Sequence, residues 1–401
     1  MSSFSNIVSK IQVSSNEKNI LELIEYSRNG LSDDNIACLA KLYAKSGHII
    51  KKGFSNSTAD IASTGGPTSL STLITPLFLK SFGFSVPKLG VPGRPAGGID
   101  ILHQIKGYEI NPKPKQIKNW LENGKYVHFI GGDLYAPLDR LVFDLRKKNN
   151  ALGIPDLVMA SILSKKIVVN INYAGLDIRV SSFGNFGKKW GEAKENGERF
   201  LRVASYLNIQ AKCFLTNGDF PYQPFIGRGE ALLAMYNIFE NNVDSRYLIN
   251  HFEECYSMAA SVANINEFDG PNVKDVKDLF KDNLEIQGTN YKVFVDKVNE
   301  IQKGHIYKIL SPKSGFLRID LEKVRYAIVD INNRAGVGKF LFPDLCGVIL
   351  EKMPSELVKK DDVICSYRCP ENYSEEFRNL LMGGIELSNK RFINNQFEEI
   401  N

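Results

Sequence analysis

The chain has 401 residues, 43% of them hydrophobic, and its 50 lysines and arginines against 45 acidic residues give a formal net charge of +5. That length supports two or three units around a large buried core, and the ordinary apolar content is that of a globular protein rather than a disordered or fibrous one. Opposite charges are interspersed, no basic stripe is interleaved with aromatics, and no apolar run approaches a membrane span, which disfavours nucleic-acid binding and a membrane-spanning role.

The six cysteines (38, 213, 255, 346, 365 and 369) are scattered. Cys365 and Cys369 are four apart, but no second pair or neighbouring histidine completes a zinc set, so no metal is expected. Free thiols suit a reducing compartment. The start, Met1-Ser-Ser-Phe-Ser-Asn-Ile7, has no apolar leader core, and a cytoplasmic location is expected.

Taken in chain order, residues 18–46 read as two helices broken at Asn29-Gly30. Ser32 is the N-cap of the second, with Asp33 and Asp34 in its first turn. The next distinctive stretch is D-I-A-S-T-G-G-P-T-S-L-S-T, Asp60 to Thr72. It is a glycine-paired, hydroxyl-rich loop that opens an apolar helix from Leu73 to Lys80. A helix start offers unpaired backbone N–H groups and the positive end of the dipole, a ready place for an anion. The candidate anion-binding residues are Ser63, Thr64, Gly65, Gly66, Ser69, Ser71 and Thr72. Gly65 and Gly66 would let the backbone approach closely. Ser69 and Ser71 suit helix capping as well as they suit an anion. Arg94 joins the candidates because Gly93 leaves room beside it.

Lys125 to Ile130, ending at Gly131-Gly132, reads as a buried strand and a loop. His103 and His128 read as structural. Residues 136–172 read as helical. Ile167 to Asn172 has the β-branched content of a strand, but the helical period continues from Ser161. An α/β alternation runs from 176 to about 300. Residues 305–401 alternate short strands with turns and end in an acidic-polar helix from Ser374 to Asn389. The expected architecture is α/β: a small all-helical lobe (1–60 and 136–172), a larger α/β lobe with a mixed sheet (61–135 and 173–304), and a C-terminal α+β domain (305–401). The chain crosses between lobes more than once, and ligand is expected in the cleft between them.

The most informative residues lie between Ala136 and Lys166. Ser161 and Lys165 are four apart on one helical face, and Arg146 arrives from the segment before. Two fixed cations and a hydroxyl suit a flat polar edge with two carbonyls and an N–H, such as that of a pyrimidine. Each residue also has a plain reading. Arg146 could pair with Asp144 or Asp156, Lys165 could share a solvated face with Lys166, and Ser161 could be a small packing residue. Phe143 suits core packing as well as a wall for the base.

In this order the segments resemble the pyrimidine nucleoside phosphorylase family, of the thymidine phosphorylase type, with anthranilate phosphoribosyltransferases as relatives. The resemblance covers most of the chain. It runs from Leu21–Asp34 through S-T-G-G at 63–66, G-R at 93–94, A-P-L-D at 136–139, L-R at 145–146, A-S-I-L-S-K-K at 160–166 and L-D-I-R-V at 176–180, then later landmarks into the tail. It implies a pentosyltransferase that breaks or forms the N-glycosidic bond of a pyrimidine nucleoside, with inorganic phosphate as co-substrate, no other cofactor, and a homodimer as its assembly. It further implies Arg146 and Lys165 as catalytic residues and Arg146, Ser161, Lys165 and Phe143 as the pyrimidine site. The departures fall on the phosphate site. The family's K-H before S-T-G-G is Ile61-Ala62 here, Pro67 follows the glycines, and the second phosphate loop is the shorter P-G-R-P-A-G-G-I. One lost ammonium costs on the order of one to three kcal/mol of charge-assisted binding, which Arg94 or Lys88 could offset. Phosphoribosyl transfer, nucleoside hydrolysis, and a non-catalytic pyrimidine-binding protein with a decayed phosphate site stay open as alternatives.

Overall fold

The computed structural model describes residues 3–50, 56–93, 96–131, 133–265, 270–335, 345–391 and 397–400. The chain opens with three helices, Phe4–Val13 (α1), Glu17–Ser27 (α2) and Asp33–Lys45 (α3). Ser3, Asn16 and Ser32 cap them by accepting from the backbone N–H three residues on, which satisfies donors that a helix start leaves unpaired. The last two are the expected pair. α1, which buries Phe4, Ile7, Val8 and Ile11, was not foreseen.

Ala59–Ser63 (β1) leads through the glycine-paired loop into Ser71–Ser81 (α4). Val86–Gly90 (β2), Gly98–Leu102 (α5), Pro114–Glu122 (α6) and Tyr126–Ile130 (β3) follow. Next come two helices that begin at prolines, Pro137–Lys148 (α7) and Pro155–Val168 (α8). The helical period expected through Asn172 ends at Val168. Asn170, at φ 52°, turns the chain into Tyr173–Val180 (β4). The α/β alternation continues with Trp190–Tyr206 (α9), Gln210–Asn217 (β5), Phe225–Ile226 (β6), Arg228–Phe239 (α10), Arg246–Val262 (α11), Val273–Ile286 (α12) and Tyr291–Gln302 (α13).

The remainder contains Tyr307–Leu310 (β7), Gly315–Ile319 (β8), Leu321–Arg334 (α14), Gly347–Leu350 (β9), Leu357–Val358 (β10), Val363–Arg368 (β11), Ser374–Met382 (α15), Ile385–Ser388 (β12) and Phe397–Ile400 (β13). The helix expected from Ser374 to Asn389 therefore stops at Met382. Gly383-Gly384 breaks it, and the residues that follow pair with β8 instead.

The fold is α/β with a mixed sheet. Its main sheet has the order β1-β4-β5-β13, the first three strands parallel and β13 antiparallel. β2 and β3 form a parallel pair that meets β1 through a Thr58–Ser85 bridge. Both faces of the sheet are covered, as parallel strands require. β4 carries Gly175 because a Cβ there would stand 2.6 Å from Ile61 and 3.0 Å from Val262.

One face of the sheet, with Leu176, Ile178 and Leu215, shares a single core with α1–α3, α7, α8 and α9. The helical lobe is thus packed directly on the sheet. The other face packs against α4 and α10–α13. A third core holds the C-terminal strands with α14 and α15. That unit is tied to the rest by β6 pairing with β9 and by Arg368 gripping Glu230 at 3.1 and 3.2 Å. Residues 397–400, expected to belong to this unit, form the strand β13, which crosses back to the edge of β5.

Candidate functional site

Two polar clusters stand on neighbouring elements. The first is on α7 and α8. Ser161 and Lys165 are one turn apart on α8, and Lys165 Nζ donates to the Ser161 hydroxyl at 3.0 Å and its carbonyl at 2.9 Å. The same ammonium pairs with Asp139 on the first turn of α7. Its side chain is 16% exposed and that of Asp139 is 8%, so the charge is held in place rather than waving in solvent. The solvated-face reading of Lys165 is therefore excluded.

Arg146 lies two turns further along α7 and is buried. It donates to the carbonyls of Ala151 at 3.1 Å and Leu152 at 2.9 Å, and so ties down the turn between the two helices. The structure thus brings Ser161 and Lys165 together directly. Arg146 stands on the same helix as Asp139, and the buried phenol of Tyr43 on α3 feels the charge of both. Burial, with Asp139 next in weight, raises the Tyr43 phenol well above its ordinary range. The Tyr43 hydroxyl has no hydrogen-bond partner. Phe143 is half-buried on the same helix.

The second cluster surrounds the loop between β1 and α4. Gly65 and Gly66 have φ values of 128° and 111°, a conformation open in practice only to glycine. The Ser63 hydroxyl folds over this turn, accepting from Gly65 N at 3.3 Å. Thr64 stitches the loop to β4, its hydroxyl accepting from Arg179 N at 2.9 Å and its N–H donating to Asp177 O at 3.0 Å. Ser71 donates to Asp177 at 2.7 Å, and the Ser69 hydroxyl accepts from the Arg179 guanidinium at 2.7 Å. Ser69 and Ser71 are therefore engaged in a buried network with Asp177 and Arg179, and neither is a simple helix cap. Thr72 faces the second loop, with its hydroxyl 3.0 Å from where a Cβ of Gly98 would stand and without a hydrogen-bond partner. Arg94 lies outside the described residues.

The start of α4 has no side-chain cap. Leu70 N instead donates to His251 Nε2 at 2.9 Å. That ring nitrogen must be unprotonated, which leaves the proton on Nδ1, 3.1 Å from Glu254. Burial raises the Glu254 carboxyl, but the contact with His251 outweighs it, and the group ends below its usual value.

Beneath the loop, Asp60 is gripped by two lysines, Lys88 from β2 at 2.8 Å and Lys166 from α8. All three are buried. Burial alone would raise the Asp60 carboxyl, but Lys166 and Lys88 outweigh it and hold it well below the carboxylate range. Lys88 also donates to the carbonyl of Ile61 at 2.6 Å. Ile61 is the residue that stands where the resembled motif has its lysine. Lys166, Asp177 and Arg179 did not figure among the expected site residues. The available signals were the aspartate that opens D-I-A-S-T-G-G and the D-x-R at 177–179. His128 is a core residue, as expected, 3.1 Å from the Tyr126 hydroxyl.

No protein-family model matches the chain. It is 29% identical to an AMP phosphorylase of Methanococcus maripaludis over 356 residues, 84% of this chain and 66% of that protein. It is 24% identical to a thymidine phosphorylase of Mycoplasma pneumoniae over 354 residues, 84% of this chain and 83% of that protein. These similarities support a likeness to the pyrimidine nucleoside phosphorylase-like family. It spans slightly under two thirds of the length of the AMP phosphorylases it matches. Among solved structures it is similar to anthranilate phosphoribosyltransferase from Thermus thermophilus, with a TM-score of 0.46 and 13% identity, over 72% of this chain and 96% of that one. Among the described residues, no helix is long and apolar enough to cross a membrane, and no group of three or more metal-ligating side chains converges.

Proposed function

We propose that this protein is a pentosyltransferase that cleaves or forms the N-glycosidic bond of a nucleoside, with phosphate as the partner nucleophile and a pyrimidine as the base. The observation that carries the reading is the Ser161–Lys165 pair, one helical turn apart, held by Asp139 and flanked by Arg146. In such a reaction the anomeric carbon passes through an oxocarbenium-like state while the base departs as an anion. Lys165 and Arg146 place fixed positive charge where that anion develops, and preorganised charge stabilises the transition state more than the ground state. Asp139 neutralises one of the two cations, so the three groups carry one net positive charge toward the leaving base. The Ser161 hydroxyl is positioned to meet the N–H between the two carbonyls. Phosphate would occupy the loop from Ser63 to Gly66 and the start of α4, with Arg94 as a further candidate.

The AMP phosphorylase relatives support a second reading of the base: a purine in place of the pyrimidine, on the same scaffold. One experiment separates these. The purified chain is incubated with uridine, thymidine, deoxyuridine, cytidine and adenosine 5′-monophosphate, with and without phosphate, and free base is measured by chromatography. Phosphate-dependent release of uracil or thymine is the expected result. Release of adenine alone would favour the purine reading, phosphate-independent release would point to hydrolysis, and no release from any substrate would refute the proposal.

A further inference from the structure

The first turn of α4 is held from another helix. Its N-cap, Leu70, offers no side-chain cap, and the Leu70 backbone N–H donates to Nε2 of His251 on α11 at 2.9 Å. In a capping box the N-cap N–H is taken by a side chain three residues further on. Here an imidazole 181 residues away takes that place. The next N–H, that of Ser71, goes to Ser69 Oγ at 3.2 Å. His251 and Leu70 are each 1% exposed, so neither partner can turn to bulk solvent. A shift of Leu70 would carry Ser69 and Ser71 with it, and these two bind Arg179 and Asp177.

The ring is fixed on its other sides as well. Nδ1 lies 3.1 Å from the Glu254 carboxylate, three residues along α11. Tyr222 stacks on the imidazole at 5.3 Å, and the Arg179 guanidinium lies 3.8 Å from the centre of the same Tyr222 ring. Cys255 Sγ stands 3.9 Å from Nε2. The titratable and charged groups around His251 are thus Glu254 and Cys255 from α11, Tyr222 from the segment after β5, and Asp177 and Arg179 from β4, whose charges reach Cys255. Glu254 favours a charged ring and Arg179 opposes one. The bond to Leu70 admits a single form, because Nε2 accepts only while it is unprotonated. A proton there would set two buried donors against each other. It would also put a positive charge at the positive end of the α4 dipole.

We propose that His251 is a positioning residue for the start of α4, and a proton-sensitive one: neutral, it holds Leu70 and the loop before it in place, and protonated on Nε2 it releases them. For its effect on turnover the proposal rests on the pentosyltransferase reading, and it is tested apart from that reading. In the full chain labelled with 15N-histidine, NMR reports the ring directly. The His251 signals are identified by contact with the Tyr222 ring and by their absence from His251→Gln. They should show the Nδ1–H tautomer at about pH 8 and convert to the imidazolium pattern as pH falls toward about 5. A proton on Nε2 at about pH 8, or a ring still neutral at about pH 5, overturns the proposal. Gln keeps an acceptor for the Leu70 N–H and a donor for Glu254 but does not titrate. The ratio of wild-type to His251→Gln kcat/KM for phosphate should therefore fall by about fivefold or more over the same pH range, the effect of one buried N–H left without its acceptor. Titration of phosphate itself cancels in that ratio, and a residue that only filled space would leave it flat. A flat ratio overturns the proposal. A ring that titrates as described, in a chain that releases no base, would leave the positioning role standing and sink the proposed function. Phosphate-dependent base release with a flat ratio would do the reverse.

Discussion

Lys165 is the side chain on which the proposed chemistry bears most directly, because it touches Ser161 and Asp139 and can reach a base placed against α8. Lys165→Met should lower kcat/KM by roughly 10²- to 10³-fold, the usual loss when one preorganised donor is removed from a developing anion. Steady-state assays of base release would check this, and an effect below about fivefold would remove Lys165 from the reaction. Tyr43 gives the opposite expectation. Its hydroxyl is fully buried and unpartnered, so Tyr43→Phe deletes a desolvated polar group with no hydrogen bond to lose. The thermal midpoint should stay the same or rise, and a clear fall would mean that the hydroxyl has a partner in solution.

Asp60 carries a pH prediction. Its folded carboxyl is held low by Lys166 and Lys88 against the opposing effect of burial. The unfolded carboxyl titrates near 3.9, so at acid pH the unfolded state takes up the proton first. The stabilisation from this pair is therefore complete above about pH 4 to 5 and is lost as pH falls from there toward the depressed folded value. Asp60→Asn should cost about 3–5 kcal/mol at neutral pH, because two buried lysines lose their counter-charge. The gap between wild type and variant should narrow in urea melts at pH 3. A gap that widens on acidification would show that the lysines are not the cause.

At the scale of elements, the strand-loop-helix unit from β1 to α4 was legible in the sequence, since hydroxyls and paired glycines before an apolar helix leave few conformations. The partners of its serines were not legible. Asp177 and Arg179 lie more than a hundred residues downstream and arrive only because β4 pairs parallel with β1. The same holds for Arg146. Its place two turns along α7 was readable, but its grip on the carbonyls of Ala151 and Leu152 depends on the turn to α8. The helix expected to Asn389 failed for a local reason, since a glycine pair ended it and freed Ile385–Ser388 to join β8. The joint between α10 and β9 is a further element-level feature. A Cβ on Gly347 would stand 1.6 Å from Glu230 Oε2, in the heart of the Glu230–Arg368 pair. Gly347→Ala should therefore displace a buried carboxylate and destabilise the protein by about 2–4 kcal/mol. Thermal melts would show the loss, and unchanged stability would mean that the joint has slack.

Across the whole molecule, the helical lobe and one face of the sheet share a core, so α8 is fixed on both sides: Lys165 on its polar turn and Lys166 into the sheet. The two polar clusters are thereby held on one rigid frame. The edge of that sheet is closed by β13, which antiparallel pairing brings back from the end of the chain. Phe397 stacks on Phe214 at 6.2 Å, and Ile400 packs over Gly197. Truncation after Arg391 should expose the edge of β5, and uncovered edges pair with other chains. Reduced thermal stability and concentration-dependent association in size-exclusion chromatography are expected. A monodisperse truncated protein with unchanged stability would show that the closing strand is dispensable.

By itself the sequence determined the α/β class, the helices α2 and α3 with the Ser32 cap of the latter, the glycine turn, and the spacing that puts Ser161 beside Lys165. Each of these depends on neighbours within a few residues, where periodicity and φ preferences act. Only the tertiary structure decided that Asp139 would hold Lys165, that Lys88 and Lys166 would meet on Asp60, and that Arg179 would reach Ser69. Those contacts span 26 to 110 residues of chain. Which distant charges meet is set by strand order and by the packing of α8 on the sheet, neither of which leaves a periodic trace in the local sequence.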